Sequence, residues 1–155
     1  MGNVYLRAGR SDDALAAFRK VTQLRQDYPR ANVNLGAVLA RRGDHAEAIE
    51  QFRTAIRLNP DLRDAHYNLA ISLEATRKDD EAAREYHTAI QLDPNFPDAR
   101  VNLANILVRS GLVDEAIEQY RAALRTNPSH PVAKANLDRL LMRLGGARHP
   151  SGQSR

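Results

Sequence analysis

The sequence predicts an all-α fold: an α-solenoid of helix-turn-helix repeats closed at its C-terminal end by a single capping helix. Three observations predict it. Asn34-Leu35-Gly36, Asn68-Leu69-Ala70, Asn102-Leu103-Ala104 and Asn136-Leu137-Asp138 recur every 34 residues, as do Phe18, Phe52, Tyr86 and Tyr120, and Ala14, Ala48, Ala82 and Ala116. Within each repeat, apolar residues fall at i, i+3, i+4 and i+7, which is one face of an α-helix. Gly43 and, in one register, Pro60, Pro94 and Pro128 punctuate the pattern at helix ends.

In chain order, residues 1–28 read as a truncated repeat. Met1 and Gly2 fall in the register of Leu35 and Gly36, and Tyr5, Gly9, Ala14 and Phe18 then fit. The sequence is therefore read as starting inside a first helix, as a fragment or a misplaced start would, and residues 2–8 are expected to fray. Residues 29–62 are a full repeat. Its first helix carries Val33, Leu35, Gly36, Val38 and Leu39 up to Gly43; its second carries Ala48, Ile49, Phe52, Ala55, Ile56 and Leu58 up to Pro60. Gly43 can take the left-handed conformation that closes a helix, and Asp44 can cap the next. Pro60 cannot continue a helix and pushes Asn59 out of helical geometry. Residues 63–96 and 97–130 repeat the design, and Pro97 and Pro131 sit where a fixed φ favours a helix start. Small residues (Gly36, Ala70 and Ala104 facing Ala48, Ala82 and Ala116) let paired helices approach, and Phe52, Tyr86 and Tyr120 fill the space between. Residues 131–144 form a first helix with no second, and Asp138, Arg139 and Arg143 suit it to water as a cap. The polar stretch 145–155 is expected to be a disordered tail.

Composition bounds the function. The 155 residues are 43% hydrophobic and 27% charged, enough for a core, but only 5% aromatic with no Trp. The absence of Cys excludes disulfides and thiolate chemistry. No apolar run is long enough for a transmembrane helix, and no signal peptide is visible. No membrane role is expected, and cytoplasmic residence is the default, an upstream signal remaining open. The net charge is +4, and Arg148 and Arg155 near the C-terminus supply half of it. The 20 Arg and 3 Lys form no basic block interleaved with aromatics, so nucleic-acid binding is not expected.

Catalytic patterns are missing. No Ser lies in a G-x-S-x-G elbow, and neither phosphate-loop nor dinucleotide glycine patterns occur. The five His show no ligand spacing. His66 and His87 share one hairpin and read better as two surface histidines than as half a metal site. Asp79, Asp80 and Glu81 open a helix, where capping and dipole stabilisation explain them. The expectation is no enzyme, no metal and no cofactor.

Leu35, Gly36, Leu39, Gly43, Ala48, Phe52, Ala55 and Pro60, with their counterparts one and two repeats on, resemble the tetratricopeptide repeat (TPR) family over roughly residues 1–144. Two departures stand out: Asn32, His66 and Arg100 replace the family's early Trp, and Arg77 replaces an inter-helix Gly. The resemblance implies a right-handed superhelix whose first helices line a concave side, and a protein or peptide partner.

On that side the resemblance would place Asn34, Asn68, Asn102 and Asn136. An Asn amide offers a donor and an acceptor and can pair with one peptide unit. Helical layers about 10 Å apart match about three extended residues. The rows are similar to those of O-linked N-acetylglucosamine transferases. They differ from the chaperone-binding carboxylate clamp, which has an Arg where this chain has Asn102. The alternative is that each Asn bonds the neighbouring repeat's backbone and only stiffens the array. Val33, Tyr67 and Val101, with Ala37, Ile71 and Asn105, would give a mildly apolar floor. Arg41, Arg109 and Arg143 would make one edge basic, suiting an extended, acidic peptide. The leading expectation is thus a non-catalytic scaffold holding a peptide in its groove. The alternatives are an accessory part of a larger enzyme such as a glycosyltransferase, and self-assembly through an uncapped N-terminal end.

Overall fold

The computed structural model describes residues 11–147, and every element among them is an α-helix or a connecting turn. The helices are α1 (Ser11–Leu24), α2 (Pro29–Arg42), α3 (His45–Leu58), α4 (Arg63–Ala75), α5 (Asp79–Leu92), α6 (Pro97–Arg109), α7 (Val113–Thr126) and α8 (Pro131–Ala147). The fold class is all-α, helix-turn-helix repeats followed by a single final helix, as expected. Residues 1–10, which carry the expected frayed helix, and 148–155, most of the expected tail, lie outside the described residues. The chain divides into two compact units, Met1–Asp93 and Pro94–Arg155.

In the first unit, α1 packs on α2, α2 on α3, α3 on α4 and α4 on α5. Small residues and one aromatic per hairpin make this possible. Ala48, Ala82, Phe52 and Tyr86 are fully buried. Gly36 is required by this closeness, because a Cβ there would stand 2.7 Å from the Phe52 ring. In the second unit, α6 packs on α7 and α7 on α8, around Ala104, Ala116, Ala123 and Tyr120.

The turns inside the hairpins repeat one hydrogen-bond scheme. The N–H groups of Asp44, Lys78 and Leu112 donate to the carbonyls of Leu39, Leu73 and Leu107 at 3.0, 2.9 and 2.9 Å. This six-to-one bond satisfies a carbonyl that the helix end would otherwise leave unpaired, and it needs a left-handed residue. Gly43 (φ 88°) and Gly111 (φ 79°) supply it. Arg77, with φ 63°, adopts the same conformation without being glycine.

Three local expectations are corrected. Asp44 stands at the N-cap of α3 but makes no side-chain cap bond, its carboxylate lying 3.4 Å from Arg42 Nε. Asp79, Asp80 and Glu81 occupy the first turn of α5, where their charge suits the helix dipole, yet Lys78 is the N-cap residue and no side chain caps the helix. Helix α8 runs on to Ala147 through Gly145 and Gly146, beyond Leu144. Glycine in a helix costs only about 1 kcal/mol and does not end it unless it turns left-handed. The cap is also less polar than its sequence suggests: Asp138, Arg139 and Arg143 are exposed, but so is Met142, at 75%.

Candidate functional site

The first helix of each repeat carries its candidate residues beside the core. In the first unit, Asn34 on α2 and Asn68 on α4 are half-buried, each preceding a buried leucine, Leu35 and Leu69. One residue earlier in the helix from a core position points about 100° away from it, so the amide stands at the margin of the packed face. Asn34 makes no side-chain hydrogen bond among the described residues. It lines a cleft of about 420 Å³ with Tyr28, Arg30, Val33 and the 61–64 turn. Asn68 Nδ2 donates to the carbonyl of Asp64, one turn back in its own helix, at 2.8 Å. Its Oδ1 is left as an acceptor.

Tyr67 is half-buried, its ring 5.8 Å from that of Tyr86 and tilted by 57°. The Tyr86 hydroxyl donates to Glu74 Oε2 at 3.1 Å. Ile71 is half-buried one turn beyond Tyr67, and Arg41 is exposed at the end of α2.

Where a Trp was expected by resemblance, the structure builds polar clamps. His66 is not the surface residue expected: it is 7% exposed. Its Nδ1 lies 2.6 Å from Glu85 Oε2 and its Nε2 lies 2.8 Å from the carbonyl of Pro60. A carboxylate and a carbonyl both accept, so satisfying both requires the imidazolium, with two N–H groups. The bond to Glu85 raises the pKa above its ordinary value against the opposing effect of burial, and the Pro60 carbonyl adds to the rise. His87 remains exposed, so the two share no site. In the second unit Arg100 makes the same pair of bonds, Nη1 to Gln119 Oε1 and Nη2 to the carbonyl of Pro94, both at 3.1 Å. The acceptors, too, are 34 residues apart.

In the second unit, Asn102 on α6 is half-buried and Arg109 is exposed at the end of that helix. Val101 is 3% exposed, so it belongs to the core and not to an open floor. Asn136 Nδ2 donates to Asn105 Oδ1 at 2.9 Å, and the same oxygen accepts from the Tyr120 hydroxyl at 2.5 Å. The donor of Asn136 is thereby committed to a side chain of another repeat, not to its backbone. Burial raises the Tyr120 pKa, opposed by Asn136 and by the positive charges of Arg139 and Arg109. Asn105, Val108, Asn136, Leu140, Arg139 and Arg143 line a pocket of about 140 Å³.

Sequence reasoning missed Tyr28, Arg30 and Arg63 around the Asn34 cleft, and the Tyr120 hydroxyl. The usable signal was the residue before each first helix (Tyr28, Leu62, Phe96 and His130), which keeps the 34-residue register. Among the described residues no group of His, Asp or Glu is arranged to hold a metal ion. None of the described helices is long and apolar enough to cross a membrane.

The family model described as tetratricopeptide repeat matches residues 1–63, 46–94 and 67–131. No curated protein matches the sequence. Among solved structures, the crystal structure of MamA is 23% identical, with a TM-score of 0.88 over 94% of this chain and 85% of that one. MamA 41-end from Desulfovibrio magneticus RS-1 is 19% identical, with a TM-score of 0.85 over 93% and 81%. YrrB, described as a TPR protein with an unusual peptide-binding site, is 24% identical, with a TM-score of 0.80 over 93% and 74%. These likenesses are of fold.

Proposed function

Because the chain belongs to the tetratricopeptide repeat family, we propose that it is a non-catalytic interaction module that binds an extended protein segment along the first helices of its repeats. The observation that carries this reading is the Asn34 cleft, roomy enough for a side chain and bordered by an amide that has no hydrogen-bond partner among the described residues. The Oδ1 of Asn68 adds an acceptor on the next first helix. Together they offer hydrogen bonds to a peptide backbone, so affinity would come from the main chain and selectivity from the side chains that settle beside it. The peptide-binding description of YrrB, a fold relative, accords with this. A cytoplasmic setting is part of the same proposal.

The test is a peptide selected from a random library against the purified chain. Changing Asn34, Asn68 and Asn102 together to Ala removes up to three neutral hydrogen bonds of about 1 kcal/mol each. Affinity should fall by about a hundredfold, while the helical circular dichroism persists. Unaltered affinity would contradict the proposal.

A further inference from the structure

The two compact units treat the same tyrosine differently. In the first, the Tyr86 hydroxyl donates to the carboxylate of Glu74. Thirty-four residues on, Val108 replaces Glu74 and Asn105 replaces Ile71, and the Tyr120 hydroxyl donates to the Asn105 amide oxygen instead. The second unit therefore lacks the acid that the first keeps there. It also gains Arg139 and Arg143, one turn apart on α8 and both lining the small pocket beside Asn105 and Asn136.

The charges around that pocket are unbalanced. Of the carboxylates in the second unit, Asp98 faces His130 at 3.1 Å and Glu118 pairs with Arg121 at 3.2 Å. Asp114 and Glu115 open α7. Asp138 lies on α8, exposed, one residue from Arg139 and so turned about 100° from it. None of them, nor any other described residue, forms an ion pair with Arg139 or Arg143. Inside the pocket the Asn105 oxygen already accepts two hydrogen bonds, while its amide N–H groups donate to no described residue. Two exposed arginines and an amide with an uncommitted donor line one pocket, in the repeat where Val108 stands in place of the first unit's carboxylate.

We infer that this pocket on α6 and α8 is a carboxylate subsite, taking a Glu or Asp side chain of the bound peptide in place of the missing acid. The inference deepens the peptide-binding reading and rests on it. Arg139 and Arg143 supply charge-assisted hydrogen bonds, which are stronger and shorter than neutral ones. Asn105 supplies a neutral donor, and Tyr120 holds the Asn105 amide in orientation. A carboxyl group fits the volume.

The test uses synthetic peptides of alternating residues, (Glu-Ala)5 and (Gln-Ala)5, with a labelled chain read by side-chain amide NMR and by fluorescence anisotropy. The glutamate peptide should bind more tightly and shift the Asn105 and Asn136 amides. R139Q/R143Q should weaken it by about tenfold and leave the glutamine peptide unaffected. Val108→Glu, which restores the first unit's arrangement, should erase the preference for glutamate. Equal affinity for the two peptides with shifts at Asn34 and Asn68 would overturn the subsite and keep the groove. Glutamate-dependent shifts at Asn105 and Asn136 with none at Asn34 and Asn68 would keep the subsite and overturn the wider ladder. A dT10 oligonucleotide that displaces (Glu-Ala)5 and shifts the same amides more strongly would overturn the peptide as the source of the anion.

Discussion

At His66 the first compact unit holds in titratable form the charge that Arg100 holds permanently in the second. The imidazolium ties α4 to Glu85 on α5 and to the Pro60 carbonyl in the turn before it, with Asp61 adding attraction from the same turn. The folded pKa is raised, so the stabilisation is complete below the unfolded value of about 6.5. It is lost as pH rises through the folded value, because the neutral ring keeps only one N–H. Denaturation midpoints should therefore fall between about pH 6 and the raised pKa, and His66→Arg should flatten that slope. A wild-type midpoint unchanged across the range would contradict the clamp. Arg77 is the second residue-scale case. Its left-handed φ of 63° costs a side-chain-bearing residue about 1–2 kcal/mol that Gly43 and Gly111 avoid. Arg77→Gly should raise stability by about 1 kcal/mol, read by chemical denaturation; a loss of that size would mean that the Arg77 side chain makes a contribution outweighing the strain. The clamp was only half legible in the sequence. The replaced Trp positions stood out, but whether a polar side chain there turns inward depends on its acceptors, and Glu85 and Pro60 are 19 and 6 residues away.

At the scale of the element, each hairpin depends on a small residue facing a large ring. Ala82 is fully buried between α4 and α5, with the fully buried Tyr86 one turn on. Ala82→Leu should overpack the hairpin and destabilise it by about 1–3 kcal/mol, measured as a lower denaturant midpoint at constant m-value. An unchanged midpoint would show that the helices can move apart. This layer of the design is what a 34-residue register makes readable, because volume, periodicity and Gly or Pro punctuation are all local properties of the chain. Caps and candidate sites were less readable. Asp44 has the residue type of a cap, yet Arg42 beside it competes for the carboxylate. Asn34, Asn68 and Asn136 share one register and differ in what they bond: no described partner, their own helix, and Asn105. Identical spacing sets position on a helix, and the neighbours one turn and one repeat away decide the hydrogen bond.

For the whole molecule, the modest positive charge carries less information than its placement. Arg19, Arg42, Arg53 and Arg63 in the first unit are bonded to carboxylates, whereas Arg139 and Arg143 in the second form no ion pair among the described residues. A guanidinium group without a carboxylate partner stays available for a ligand, and Arg139 and Arg143 combine that with a place beside one pocket. Membership of the tetratricopeptide repeat family agrees with a molecule built to present surfaces. The central claim is that those surfaces are the first helices. Hydrogen–deuterium exchange with a library-selected peptide at saturation, together with the peptide's mass before and after, tests it most directly. Slowed exchange on α2, α4 and α6 with an unchanged peptide mass is the predicted result. Slowed exchange confined to α3, α5 and α7, or a peptide that returns cleaved or modified, would contradict it.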